Sequence, residues 1–151
     1  MMTTNKLYMV LIGCTPKGRF TEQHDIFFGI GNSLKELVPH MKAFWPEAKG
    51  KIHIDAWREV TAVDNFSISI ESKNTSTTKD QLFFINLGGY KENEFEEYHY
   101  KTLAVAESLG LASKKAKKIH STDILALRER PHILTINTEL MWMIFLTLMM
   151  P

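Results

Sequence analysis

The first part of the chain shows a regular succession of apolar runs and polar segments. Continuous apolar runs at residues 7–12 and 26–31 have the length and bulk of buried strands. Ser33, with a glutamate three residues later, forms a capping-box pattern that predicts a helix start, and Pro39 should kink or divide that helix. Residues 51–60 alternate between apolar and polar side chains, which predicts a third strand. The predicted order is therefore strand, strand, helix, strand.

The remainder of the chain repeats this succession less clearly. Residues 66–70 alternate cleanly and residues 82–87 form an apolar run, so both are predicted strands, the second being the counterpart of residues 26–31. Asn93, with a glutamate three residues later, resembles a second helix start, and Gly110 suits its C-terminal cap. The apolar stripe of this predicted helix consists of Phe95, Tyr98, Thr102, Val105 and Leu109.

These elements predict an α+β protein with mixed β-sheets and flanking helices. A further basic helix is expected over residues 113–130 and a last strand over residues 132–136. The succession divides into two related β-β-α-β halves, residues 1–64 and 65–140, which we expect to form one compact unit. Residues 141–151 follow as an apolar tail that does not fit the pattern.

Composition and charge narrow the class of protein. The chain has 151 residues, enough for one domain with a substantial core, and its net charge is +1. This charge provides no general attraction for nucleic acid or for anionic membranes, so we expect neither as a partner. One cysteine excludes an internal disulfide framework and fits a reducing compartment, which favours a cytoplasmic protein.

The residues that could carry chemistry are concentrated in two places. The polar segment 13–25 lies between the first two predicted strands and combines a thiol, an imidazole, cations and carboxylates, as functional loops often do. On the third predicted strand, alternation places three polar or aromatic side chains on the face opposite Ile52 and Ile54. The predicted ligand-binding set is Glu22, Gln23, His24, Asp25, His53, Asp55 and Trp57.

The imidazoles and carboxylates of this set permit two interpretations. His24, His53 and Asp55 are candidate metal ligands, because imidazole and carboxylate groups commonly bind zinc and other divalent ions. Alternatively, each histidine is structural and a neighbouring carboxylate orients a partly buried ring. No closed ligand motif decides between them.

Cys14 is a candidate nucleophile. It lies near the cations Lys17 and Arg19, which favour a thiolate, and His24 with Asp25 could supply a base. Against this, a buried free cysteine behaves as a small hydrophobic residue, and the third member of a catalytic triad is missing.

The amino-acid sequence of residues 7–60 resembles that of a bacterial family known as domain of unknown function 1543. The resemblance is carried by Tyr-Met-Val-Leu-Ile-Gly-Cys at 8–14, by Thr-Glu-Gln-His-Asp at 21–25, and by Ala-Phe-Trp-Pro-Glu-Ala at 43–48. It continues in Lys-Ile-His-Ile-Asp-Ala-Trp at 51–57. The resemblance implies an uncharacterised cytoplasmic protein with one or two copies of a small mixed domain, and it implies no activity, substrate or cofactor.

The tail departs from the ending that the resemblance implies, an acidic segment similar to Val-Asp-Asp-Ile-Phe-Asp-Val-Asp-Asp. Methionine and tryptophan have single codons, so the codons of Met141, Trp142 and Met143 are known. Read from the third base of Met141, they encode the start of that acidic segment. We therefore hypothesise that a frameshift has replaced the C-terminus, which the nucleotide sequence would test.

Three functional hypotheses remain open on the sequence alone. The first is a binding module for a small molecule or a protein, because no complete catalytic constellation is present. The second is a small metal-dependent or Cys/His enzyme that uses the loop 22–25 with His53 and Asp55. The third is an oligomeric scaffold, for which the apolar strands and tail provide surfaces. The sequence identifies neither a cofactor nor a substrate.

Overall fold

The computed structural model describes residues 5–71, 78–91, 93–119, 130–135 and 143–148. Within these ranges the chain forms two α-helices, α1 (Leu34–Phe44) and α2 (Leu109–Ile119), and one turn of 3-10 helix at Pro46–Ala48. The strands are β1 (Lys6–Cys14), β2 (Gln23–Gly31), β3 (His53–Glu59), β4 (Ala62–Val63), β5 (Phe66–Glu71), β6 (Gln81–Tyr90), β7 (Glu97–Ala106), β8 (Arg130–Thr135) and β9 (Met143–Leu148).

The described chain divides into two compact units, the first containing β1, β2, α1 and β3 and the second containing β6, β7, α2 and β8. The first has a sheet in the order β2-β1-β3 and the second a sheet in the order β7-β6-β8. In each sheet the first strand in sequence is central and pairs antiparallel with both neighbours. The remaining strands have the order β4-β5-β9.

The core of the first unit lies between one face of its sheet and α1. Because side chains alternate along a strand, Tyr8, Val10 and Ile12 share that face. They form a cluster with Leu37 and Met41 of α1, and each of these side chains is at most 3% exposed. The odd-numbered residues of β1, Gly13 among them, lie on the opposite face.

The second unit is built in the same way with smaller helix residues. Phe83, Ile85 and Leu87 of β6 share a face and pack with Ala112 and Ala116 of α2. All of these residues are at most 3% exposed. The alanines allow α2 to approach the larger side chains of β6 closely.

The prediction of mixed sheets is wrong for both units. The strand after the helix runs parallel to the strand before it, but the two lie on opposite sides of the central strand. The central strand therefore separates the two parallel strands, and every pairing it makes is antiparallel.

The helix predicted from Asn93 to Gly110 is also wrong, because most of that segment is β7. Tyr98, Tyr100 and Thr102 are partly buried and alternate with exposed neighbours, which is the period of a strand. Aromatic and β-branched side chains favour this geometry. Gly110 lies inside α2 rather than at a cap, and β6 corresponds in topology to β1, not to β2.

Helix α1 begins at Leu34, directly after Ser33, as the capping-box pattern predicts. The backbone N–H of Asn32 donates to Glu36 Oε2 at 3.0 Å, whereas the side chain of Ser33 makes no cap bond. The helix continues through Pro39, so the predicted division at this proline does not occur.

Some predictions fall partly outside the described residues. The basic helix ends at Ile119 within the described ranges, and residues 120–129 lie outside them. Of the tail, Met143–Leu148 forms β9, while residues 141–142 and 149–151 lie outside. The frameshift and scaffold hypotheses stay predictions.

None of the helices in the described residues has the length and apolar content to cross a membrane.

The packing of α1 makes a testable prediction about Leu37, which is 1% exposed in the core of the first unit. We expect Leu37→Ala to lower the free energy of unfolding by about 2–5 kcal/mol, because the lost contacts leave a cavity. Chemical denaturation monitored by circular dichroism measures this. Lys35→Ala, at an exposed position of the same helix, is the matched control and should change it by less than about 0.5 kcal/mol. Equal effects of both substitutions would contradict the assigned core.

Candidate functional site

The face of the first sheet opposite α1 is organised around Gly13 at the end of the central strand. Gly13 pairs in register with His24 of β2 on one side and with His53 of β3 on the other. Cross-strand partners have their Cβ atoms on the same face, about 4.5–5.5 Å apart. Both imidazoles therefore start from positions beside a residue that has no side chain.

The missing side chain of Gly13 is a steric requirement. A Cβ atom built on Gly13 would overlap Nε2 of His53 and would lie 2.7 Å from Oδ2 of Asp55. Side chains from β3 thus occupy the space above the glycine. Any larger residue at this position would displace them.

A β-bulge brings Asp55 into this space. Leu11 pairs with Ala56 and Ile12 pairs with Ile54, so Asp55 is the extra residue and has no partner on β1. Bulges redirect side chains and are frequent beside functional sites. Here the bulge directs the Asp55 carboxylate toward Gly13, on the same face as His53.

Four side chains converge over Gly13. Nε2 of His53 lies 3.0 Å from Oε1 of Glu22 and 3.2 Å from Oδ1 of Asp55. Nε2 of His24 lies 3.5 Å from Oδ2 of Asp55 and 3.7 Å from Oε2 of Glu22. Each imidazole nitrogen thus faces both carboxylates.

The cluster is open to solvent. The side chains of Glu22, His24, His53 and Asp55 are 43%, 40%, 50% and 31% exposed. Exposed ion pairs contribute little to stability, about 0–1 kcal/mol, so folding alone gives no strong reason for this arrangement. The open side of the cluster leaves room for a ligand.

The spacing of the cluster suits a metal ion. Ligand atoms of Glu22, His24 and His53 all lie within 4.8 Å of one another. A tetrahedral zinc ion with bonds of about 2.0–2.2 Å separates its ligand atoms by roughly 3.3–3.6 Å. The four imidazole–carboxylate distances, 3.0–3.7 Å, bracket that separation.

Three residues of the predicted set lie apart from the cluster, and two of them, Gln23 and Asp25, belong to β2. Asp25 pairs with Ile12, so it belongs to the face that carries α1, and its carboxylate accepts the backbone N–H of Ile26 at 2.7 Å. Gln23 pairs with Cys14, one position along from the His24–Gly13 pair, and alternation places it on the α1 face as well.

Trp57 shows how the bulge changes the faces of β3. Simple alternation predicts that Trp57 shares a face with His53 and Asp55. The extra residue reverses the alternation, so Trp57 pairs with Val10 on the α1 face, and its ring centroid lies 6.1 Å from that of Tyr8. The face that simple alternation predicts for Trp57 is therefore wrong by register, although its side chain also lines the hollow formed with Leu11 and Ala56.

Cys14 is buried, with 2% exposure, and alternation places it on the opposite face of β1 from Gly13. His24 lies across from Gly13, so the structure does not bring Cys14 and His24 together. Lys17 and Arg19 are exposed. This placement corresponds to the small hydrophobic role weighed for Cys14 above.

A shallow hollow of about 150 Å³ lies beside the cluster on the same sheet. Leu11, Ile26 and Ala56 form the row of cross-strand partners next to the row of Gly13. The hollow is lined by Met9, Leu11, Ile26, Ala56, Trp57 and Arg58. It is mainly apolar, and the Arg58 guanidinium contacts Met9 Sδ at 3.4 Å.

The sequence pointed to Glu22, His24, His53 and Asp55 but not to the residue that allows them to meet. In the sequence, Gly13 is only the end of an apolar run. Its cross-strand partners depend on the strand register, which the local sequence does not predict. The polar residue Asp55 in an otherwise regular strand gives no local sign of a bulge.

Comparison with known proteins gives a match to one family model over part of the chain. Residues 19–70 match the family model of a Domain of Unknown Function (DUF1543), so the resemblance drawn from the sequence is confirmed there, and all four side chains of the cluster lie within the match. The fold is similar to the crystal structure of a protein Il1583 from Idiomarina loihiensis, with a TM-score of 0.71 and 25% identity. The alignment covers 95% of this chain and 86% of that one. No curated protein matches the chain.

The role of Gly13 can be tested by Gly13→Ala. The new methyl group collides with the ends of exposed side chains rather than with backbone, so we expect the fold to persist, with unfolding free energy changed by about 1 kcal/mol or less. The imidazole resonances of His24 and His53 should shift strongly in two-dimensional NMR spectra. Gly110→Ala is the control, because its added Cβ meets nothing within 4 Å. Unchanged imidazole resonances in Gly13→Ala would contradict the proposed geometry.

Proposed function

We propose that the first sheet is a binding module for a divalent transition-metal ion. The observation that supports this is the convergence of Glu22, His24 and His53, whose ligand atoms lie within 4.8 Å of one another, with the Asp55 carboxylate within 3.2–3.5 Å of both imidazoles. The proposed ligands are Glu22, His24, His53 and Asp55. The two carboxylates carry the charge that neutralises a divalent cation.

The donor set favours particular ions. Imidazole nitrogen suits zinc, copper, iron and nickel, whereas calcium and magnesium prefer sites made of oxygen ligands. Two imidazoles with two carboxylates therefore favour a transition metal such as Zn²⁺. The exposure of all four side chains leaves the solvent side of the ion available to water or to a further ligand.

A second candidate function is metal-dependent hydrolysis. The observation that favours it is the apolar hollow beside the cluster, which could hold the body of a small substrate next to an open coordination position. A bound divalent ion can polarise a carbonyl or phosphoryl oxygen and activate water. Zinc-loaded protein should then hydrolyse simple aryl esters or phosphates faster than His24→Ala does. Equal rates for both proteins would contradict metal-dependent hydrolysis and leave metal binding as the proposed function.

We also infer that the two units are copies of one β-β-α-β element. Both have a central first strand, the second strand on one side and the strand after the helix on the other. In both, the helix packs on one face of the central strand against alternate apolar residues that are almost fully buried. This supports the expectation of two related halves.

The metal proposal predicts the effect of removing either histidine. We expect His24→Ala and His53→Ala to weaken Zn²⁺ or Co²⁺ binding by at least about 100-fold, because even groups that only support metal ligands are worth 10–100-fold. Isothermal titration calorimetry measures the affinity, and the visible absorption of Co²⁺ reports imidazole coordination. The stabilisation of the fold by the metal in thermal unfolding should be lost in parallel.

His40→Ala is the matched control, since His40 is an exposed histidine of α1 outside the cluster. It should bind the metal as the unaltered chain does. A thermal shift by metal that survives the loss of His24 and of His53 would overturn the proposal.

A further inference from the structure

The central strand of the second sheet carries a glycine in the same setting as Gly13. Gly88 of β6 pairs in register with His99 of β7, as Gly13 of β1 pairs with His24 of β2. Both histidines follow a glutamate by two residues, in Glu22-Gln23-His24 and in Glu97-Tyr98-His99. The same short motif thus faces a central-strand glycine in both units.

The side chains of Glu97 and His99 lie next to the position of the missing Cβ of Gly88, with more room than at Gly13. A Cβ built on Gly88 would lie 3.2 Å from Oε1 of Glu97 and 3.5 Å from Cε1 of His99. Nε2 of His99 lies 3.8 Å from Oε2 of Glu97, close to the 3.7 Å between His24 and Glu22. The imidazole and carboxylate therefore meet above the glycine as they do in the first unit.

The ring of His99 is oriented for ligation through Nε2. Its Nδ1 lies 3.3 Å from Oδ1 of Asn86. An amide oxygen only accepts hydrogen bonds, so the tautomer with its proton on Nδ1 is the one that this contact suits, and that tautomer has a lone pair on Nε2. A supporting bond to the second ring nitrogen is the usual arrangement of a metal-binding histidine. The His99 and Glu97 side chains are 33% and 44% exposed, which leaves them accessible to an ion.

The third strand is where the two units differ. Arg130 stands opposite Gly88, at the register position that His53 holds opposite Gly13. The β6–β8 register is continuous from Gly88 to Phe83, so there is no bulged residue equivalent to Asp55. An arginine side chain offers only hydrogen-bond donors and is not a metal ligand. The second unit therefore keeps two of the four donors.

We infer that the second sheet holds a second, weaker site for a divalent transition-metal ion, formed by Glu97 and His99 above Gly88. This inference rests on the proposed function of the first sheet, whose ligand pair Glu22 and His24 it repeats. Two protein donors bind an ion more weakly than four donors do, so the full chain has one tight site and one weak site.

Titration of the metal-free full chain with Zn²⁺, followed by calorimetry, tests this inference. We expect two classes of site whose affinities differ by at least about tenfold. His99→Ala should remove the weak class and leave the tight one unchanged, and Glu97→Gln, which keeps the side-chain shape, should weaken only the weak class. Circular dichroism and thermal unfolding verify that both variants are folded, and His40→Ala serves again as the control.

The possible failures of the two proposals differ in this experiment. A single tight class in the unaltered chain, or a weak class that persists in His99→Ala, would overturn the second site and leave the first. If the unaltered chain shows no tight class but does show a weak class that depends on His99, the first site is overturned and the second is supported. Binding that responds to neither His24 nor His99 would overturn both.

Discussion

The candidate site depends on the absence of a side chain at one position of a central strand. Neighbouring strands lie about 4.7–4.9 Å apart, so His24 and His53 start from strands roughly 10 Å apart with β1 between them. Their imidazoles can meet the same carboxylates only by leaning across β1. Gly13 permits this, because any Cβ there would overlap the groups from β3. The chemistry of the face follows from this one steric condition.

In the first unit, the residues that stabilise the fold and the residues of the candidate site lie on opposite faces of the sheet. The residues that hold the first unit together, such as Val10 and Leu37, lie on the α1 side of the sheet, and the cluster lies on the other side. The strand after the helix crosses to the far edge of the central strand, which brings His53 opposite Gly13 although forty residues separate them in sequence. A single bulge then adds Asp55. The second unit keeps the topology, the central-strand glycine and the Glu-x-His motif. It lacks an equivalent of His53 on its third strand and the bulge that adds Asp55.

Local patterns were sufficient for much of the first unit. The apolar runs correctly indicated β1 and β2, alternation indicated β3, and the shared face of His53 and Asp55 was predicted before any register was known. Glu22 and His24 were selected because imidazole and carboxylate recur in one polar loop. The expectation that this loop and β3 converge depended on a pairing of distant strands, which local periodicity cannot supply.

The errors have equally specific causes. Trp57 was assigned to the wrong face because a bulge leaves no local trace and reverses every position after it. Segment β7 was interpreted as a helix because Tyr98 and Thr102 are spaced both for one helical face and for one strand face. That error concealed Glu97 and His99, which become a recognisable pair only when β7 lies in register with Gly88.

The most direct test of this account is a crystal structure of the chain soaked with Zn²⁺, with anomalous diffraction recorded at the zinc edge. The account predicts a strong peak above Gly13, about 2.0–2.2 Å from Nε2 of both His24 and His53. An absence of zinc from His24 and His53 at saturating zinc, whether or not an ion is bound above Gly88, would contradict it.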